Sequence, residues 1–310
     1  MEGLHEADAA FVFSGLFRFS SSSCSYLWLC RDNRQAERIA ENLKFFLPAQ
    51  EKDQVLLIPG AEADPYRGLS YHPEIAVRRA LSLWRLLKGH QGFVVTTMEC
   101  FTSRIPSPVE FLNNCFQLEV GNFMPLTHLV RRLCENGYLR DDPVNELGEF
   151  SNRGGIVDIF LPTHENPVRI EFFGDEIESI REFNLSTQRS IAHLTSCEVV
   201  PMREMIINDR DIERWQEKAP EHWNQIRFAK ALTEKLQFTE NGELFNGFEY
   251  VFPLVVNNEY SLLDFFSAGS DLRLVVSEAE ELLEEIIETQ KKRKASFEEQ
   301  DGIGEMALHP

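Results

Sequence analysis

The rhythm of apolar residues changes near Pro106 and Pro108, and that change bounds the architecture. Upstream, short apolar runs at 26–31, 55–58 and 93–96 read as strands, each separated from the next by helical spacing. Ala36, Ile39, Ala40 and Leu43 mark a helix over 33–47 that stops before Pro48. A second helix, 73–87, begins at Pro73 and has Gly89 just past its end, and 97–103 reads as a short third one. Strands that alternate with helices predict a parallel, doubly wound α/β sheet. Downstream, 116–120 opens a new unit, 125–135 is an amphipathic helix bearing Leu126, Leu129, Val130 and Leu133, and successive strands follow up to 197–200. One helix followed by antiparallel strands is an α+β arrangement. After Met202 helical spacing returns at 209–218 and 223–236, then a buried strand at 272–276 and a long acidic helix at 277–295. That helix carries Leu282, Leu283, Ile286 and Ile287 on its apolar side, and 301–310 reads as a frayed end. The expected layout is an α/β domain in two segments, 1–115 and 203–310, with an α+β domain inserted at 116–202.

Within the inserted unit, 148–183 reads as three strands: 156–161, 168–173 and 176–183, the last two joined by the two-residue loop Gly174-Asp175. Side chains alternate along a strand, so Val168, Ile170 and Phe172 face inward while Arg169, Glu171 and Phe173 share the other face. An aromatic ring on a charged face adds little to a core but anchors a partner well. Arg153, before the Gly154-Gly155 turn, extends that surface from the sheet edge. The alternative is that Phe173 tucks under a neighbouring loop while the arginines pair with Glu171 or Glu178.

The net charge of −19 argues against nonspecific binding to a phosphate backbone. Arg78-Arg79, Arg131-Arg132 and the lysines near 291–294 are the local basic exceptions, and each reads as a solvated helix face or helix end. No apolar run approaches the roughly 18 residues of a membrane span. The amino terminus has no signal-peptide layout, so a cytoplasmic location is expected. Six scattered cysteines without C-x-x-C pairs read as buried, reduced thiols, and eight dispersed histidines lack metal-ligand spacing.

The pattern G-E-F-x-x-R-G-G-I-V-D-I-F-x-P, followed by R-I-E-F-F-x-D-E-I-E-S-I-R-x-F, resembles the UvrB homology module. The resemblance extends to LLIPGAEADPY at 56–66, HPEIAVRRALSLWRL at 72–86, Thr187-Gln188-Arg189 and Gly247-Phe248-Glu249. The module occurs in the excinuclease component UvrB and in the amino-terminal third of the transcription-repair coupling factor (Mfd). It implies a RecA-like, helicase-related fold and a second domain that binds the damage-recognition protein UvrA. By the family's pattern Arg153, Arg169 and Phe173 lie at the UvrA contact, with Glu171 beside them. Arg169→Ala or Phe173→Ala is then expected to weaken UvrA capture with little change in thermal stability. RNA polymerase and DNA would be engaged by the rest of a full-length coupling factor, whose motor domain uses ATP and Mg²⁺.

UvrB itself needs ATP, so the nucleotide motifs decide between the two relatives. Phosphate cradling needs G-x-x-x-x-G-K-(S/T), and the only register, 15–22, has Ser20 for the second glycine and Ser21 for the lysine. Strand 26–31 follows too closely for a phosphate loop and a helix between them. The family's acidic D-E-x-(H/D) is replaced by Ser277-Glu278-Ala279-Glu280. The expectation is a non-catalytic, cofactor-free and metal-free module that recruits UvrA to stalled RNA polymerase. The alternatives are a UvrB-like, ATP-dependent excinuclease component and a DNA-binding fragment. A nuclease site built on Asp158 and Glu171 is disfavoured because Phe173 holds the lysine position and Asp158 lies in an apolar strand.

Overall fold

A computed structural model of the chain describes residues 5–19, 24–62, 64–70, 72–240, 243–267 and 269–309. The first half of the chain forms α1 (Glu6–Phe19), β1 (Cys24–Cys30), α2 (Asn33–Phe46), β2 (Val55–Ile58), α3 (Pro73–Leu87), β3 (Phe93–Thr97), α4 (Met98–Thr102) and α5 (Pro108–Asn114). Next come β4 (Phe116–Glu119), α6 (Leu126–Glu135), β5 (Leu139–Arg140), β6 (Glu149–Arg153), β7 (Ile156–Ile159), β8 (Val168–Phe173), β9 (Glu176–Phe183), β10 (Ser190–Leu194) and β11 (Ser196–Val199). The remainder contributes α7 (Asp209–His222), α8 (Ala229–Glu240), β12 (Asp271–Val276) and α9 (Ala279–Ile303).

The fold is mixed α/β. A parallel four-stranded sheet runs in the order β12-β1-β3-β2. Its central strand β1, CSYLWLC, is buried at every position, as a parallel strand covered on both faces must be. Tyr26, Trp28, Phe93 and Val55 pack on Ala36, Ile39 and Leu43 of α2, with Phe13 and Phe17 of α1. The opposite face, Leu27, Leu29, Val94 and Leu56, meets Ala80, Leu83 and Leu86 of α3 together with Phe111 and Phe265. Asp32 caps α2 by accepting from the Gln35 amide at 2.7 Å. Gly92 sits at φ 129°, where an added Cβ would lie 2.4 Å from the Gln54 carbonyl oxygen, so the entry to β3 admits only glycine.

Several expectations are corrected here. The strand at 272–276 is largely exposed: β12 is the sheet edge, paired with β1 alone, and within it only Val275 is buried while Leu272 is half-buried. The acidic helix runs longer, through Ile303, and buries Leu282 but exposes Leu283 and Ile287, because no element among the described residues covers that side. Helix α7 passes through Pro220 to His222, held by buried Trp215 and Ala219, and Trp223 caps it instead of starting the next helix. The end at 301–309 is not frayed, since Met306 is buried beside Trp215 and Phe252 and Arg227 pairs with Asp301 at 3.0 Å. Cys134 is exposed. The serines 20–23 and part of the 15–22 register fall outside the described residues.

The second sheet is antiparallel except at β5 and runs in the order β10-β9-β8-β7-β6-β5. Its inner face (Phe150, Val157, Ile159, Val168, Ile170, Ile177 and Ile180) buries Leu129 and Leu133 of α6. The stretch 148–183 holds four strands, not three. The residues of β6, EFSNR, contain one apolar side chain, so no periodicity marks them, and the strand is specified by its ladder to β7 and by burial of Phe150 and Ser151.

Helix α3 ties the parallel sheet to the region that follows, where β4 and β11 pair as a separate two-stranded sheet. Arg79 of α3 is buried and donates to the Glu204 carboxylate through Nε at 3.1 Å and Nη2 at 2.9 Å, and to the Pro59 carbonyl at 2.7 Å. Its neighbour Arg78 is solvated, but Arg79 is not on a solvated face as the sequence suggests. Trp84 and Lys88 of the same helix both reach Glu198 of β11. No helix among the described residues is long and apolar enough to cross a membrane.

Candidate docking face

Residues paired across a ladder point to the same side of a sheet, so the registers fix what the outer face of the six-stranded sheet displays. One row reads Ser151, Asp158, Arg169, Arg181 and His193 across β6 to β10. The next reads Arg153, Ile156, Glu171 and Ser179. A bulge in β9 between these positions and the hairpin end then brings Phe173 opposite Glu176. All four predicted residues, Arg153, Arg169, Glu171 and Phe173, therefore share one face.

The Phe173 ring does not tuck under a loop. It is 78 % exposed at the tip of the β8–β9 hairpin, where Gly174 takes φ 64° to turn the chain. The arginines are paired, but not as the alternative expects. Arg169 donates through Nε and Nη2 to both oxygens of Asp158 at 2.7 and 2.8 Å. Glu171 is held by Arg181 and by the Ser179 hydroxyl at 2.8 Å. Arg153 reaches Asp142 at 2.7 Å and stays largely exposed. The Asp158 hydrogen bonds push the Arg169 guanidinium above its ordinary value.

Arg169 is the most constrained of the four. Its guanidinium lies over the Phe183 ring at 4.5 Å and donates a further bond to the Gln188 side-chain oxygen at 3.1 Å. Gln188 takes φ 57° and donates its side-chain amide to the Leu185 carbonyl at 2.9 Å, so the Thr187-Gln188-Arg189 stretch acts as a brace for Arg169. Asp158 is buried, so removing Arg169 strands a carboxylate in the sheet. The expectation that Arg169→Ala leaves stability untouched is therefore corrected, while the one for Phe173→Ala fits a ring with little buried surface. Gly155 brings β7 against β8: its carbonyl accepts from the Phe172 amide at 2.8 Å, and a Cβ there would meet the Phe172 carbonyl at 2.9 Å.

Sequence reasoning missed three participants. Ile156, between Arg153 and Glu171, is 39 % exposed, and Arg181 shares the charged row with Arg169. Phe123, 76 % exposed, sits on the segment between β4 and α6 and bridges Glu176. Its only sequence signal is an aromatic residue after the turn-forming Gly121-Asn122.

The nucleotide-motif positions have other employment. Residues 15–19 lie within α1, so no phosphate loop forms over them. The Ser277 hydroxyl accepts from the Trp28 indole at 3.0 Å, and Glu278 lies 3.4 Å from Gln35. Asn33 both donates to and accepts from the Gly60 backbone, and Arg293 reaches Glu99 at 2.7 Å across the same strand ends. Among the described residues no group of three or more His, Cys, Asp or Glu side chains is arranged to hold a metal ion.

Residues 116–205 match the family model of the UvrB interaction domain. The chain is similar to the transcription-repair-coupling factor of Bacillus subtilis, 38 % identical over 59 % of this chain and 15 % of that protein. The factor of Haemophilus influenzae is 29 % identical over 76 % of this chain and 20 % of its own length. That of Mycobacterium bovis is 32 % identical over 73 % and 19 %. The chain thus corresponds to no more than a fifth of the length of these relatives.

Proposed function

We propose that this chain, a relative of the transcription-repair-coupling factors with a UvrB interaction domain at 116–205, is a docking module that captures UvrA on the outer face of its six-stranded sheet. The observation that carries this reading is Phe173. A large apolar ring stands in solvent at the end of a sheet face whose charged side chains are held in fixed pairs. Such a ring gives nothing to the fold and supplies the apolar centre of an interface, where truncation costs about 2 kcal/mol or more. Arg153, exposed at the edge, can turn its guanidinium to a partner carboxylate, and Arg169, whose Nε and Nη2 are taken by Asp158, offers Nη1, which has no hydrogen-bond partner among the described residues. Glu171, beside them on the face, is held by Arg181.

The parallel sheet is, in this reading, a RecA-like domain built from 1–115 and 203–310 that has lost nucleotide chemistry, with the docking domain at 116–202 carried between its segments. The Trp28–Ser277 and Glu99–Arg293 contacts support it, because they put the chain's own side chains at the strand ends where such folds bind ligands. Within a full-length coupling factor, the module would bring UvrA to a stalled RNA polymerase engaged by other domains. A titration of purified UvrA against this chain tests the proposal: saturable binding supports it, and no binding at micromolar concentrations contradicts it.

A further inference from the structure

Phe173 is not the last group on its face. Segment 121–124 adds to the hairpin end as a short third strand beside β9: the Ile177 amide donates to Asn122 at 3.0 Å, and the Gly121 and Met124 amides donate to Ile177 and Asp175, both at 2.8 Å. That pairing brings Phe123 opposite Glu176, which is itself opposite Phe173. The three residues therefore form a row on the outer face, with the two rings flanking the carboxylate. Two ladder spacings, roughly 10 Å, separate the backbone positions of the two rings, with the Glu176 side chain between them. Both rings are more than three-quarters exposed, and the Glu176 carboxylate is exposed and makes no hydrogen bond or ion pair among the described residues. The contrast with the neighbouring rows is sharp, since Asp158 and Glu171 are each taken up by an arginine.

We infer that Phe123, Glu176 and Phe173 form a clamp for a UvrA segment in which an apolar side chain lies next to a lysine or arginine; this rests on the docking reading above. The apolar side chain packs on the exposed faces of the rings. The cation pairs with Glu176, where flanking hydrocarbon excludes water and strengthens the attraction. The occupant is basic at this point because the acid is already in place and unpaired, and apolar because two rings at that spacing bury little against each other. Phe123 thus becomes a second anchor, contributed from outside the β8–β9 hairpin.

The test is a titration of UvrA against the intact chain and its Phe123→Ala, Phe173→Ala and Glu176→Lys variants, with a thermal melt of each. The clamp predicts that Phe123→Ala weakens binding about tenfold or more. Glu176→Lys should weaken binding further at low salt than at high salt, with the melts of both variants unchanged. Parental affinity in Phe123→Ala overturns the clamp and leaves the Phe173 reading standing; no binding by the parent chain overturns both. Should Phe123→Ala lower the melt, Glu176→Lys carries the test, because its side chain makes no contact that folding uses, and parental affinity in that variant overturns the inference.

Discussion

Arg169 on β8 and Asp158 on β7 face each other across the ladder and are joined by two parallel hydrogen bonds, with the carboxylate buried and the guanidinium lying over Phe183. The proposed docking face is thus built on a structural ion pair. Breaking one partner of such a pair costs about 3 kcal/mol, because the other is left charged and unpaired. Arg169→Ala and Asp158→Ala are each expected to lower unfolding free energy by about that much in urea melts, and the double variant by less than the sum. Additive losses would mean that the two side chains do not act as a unit.

A second buried pair ties α3 to the segment that follows β11. Arg79 and Glu204 are both nearly inaccessible and bond bidentately. Glu204→Gln is expected to destabilise the chain by about 3 kcal/mol. Pairing Arg79→Met with Glu204→Leu should recover much of that loss, because no charge remains buried. Denaturant midpoints of the three variants decide the matter, and a double variant no more stable than Glu204→Gln would contradict it.

Acid should weaken the fold through a histidine. Burial, with the nearby Arg85 charge, holds His90 down to about 4 from an ordinary 6.5, and its Nε2 has no hydrogen-bond partner among the described residues. Between these values the unfolded chain binds the proton and the folded one does not, so stability is complete above pH 6.5 and falls as pH drops toward 4. The loss is at most about 3 kcal/mol. His164 is lowered in the same direction, also by burial. Comparing the chain with His90→Gln at pH 7 and pH 5 isolates one contribution: the variant should show the smaller drop, and equal drops would exclude His90 as a source.

Nucleotide binding offers an independent check. With 15–19 inside a helix, Ser277 engaged by Trp28 and Glu99 engaged by Arg293, a fluorescent ATP analogue with Mg²⁺ is expected to give no saturable signal. Saturation in the micromolar range would restore the ATPase reading.

Much of this was legible in the residues. Alternation along 168–173 put Phe172 on the inner face and Phe173 on the outer face with Arg169 and Glu171, and the structure leaves the Phe173 ring exposed there. The helices at 33–47 and 73–87 followed from apolar spacing with Pro and Gly punctuation. What was not legible depended on register and neighbours. The pairing of Arg169 with Asp158 instead of Glu171 or Glu178 is fixed by which strand lies alongside β8. The exposure of β12 follows from its edge position, since its apolar sequence suits a central strand equally well. Phe123 joins the face only through backbone bonds from a loop, and a single residue in a loop has no periodicity to betray its orientation.

The most direct test uses two phenylalanines of nearly equal exposure. Phe173 lies on the proposed docking face and Phe45, 79 % exposed, lies on α2, which packs on the parallel sheet. In a titration against purified UvrA, Phe173→Ala should weaken binding about tenfold or more with an unchanged thermal melt, and Phe45→Ala should bind as the parent does. Equal affinity in the parent and both variants would contradict the account.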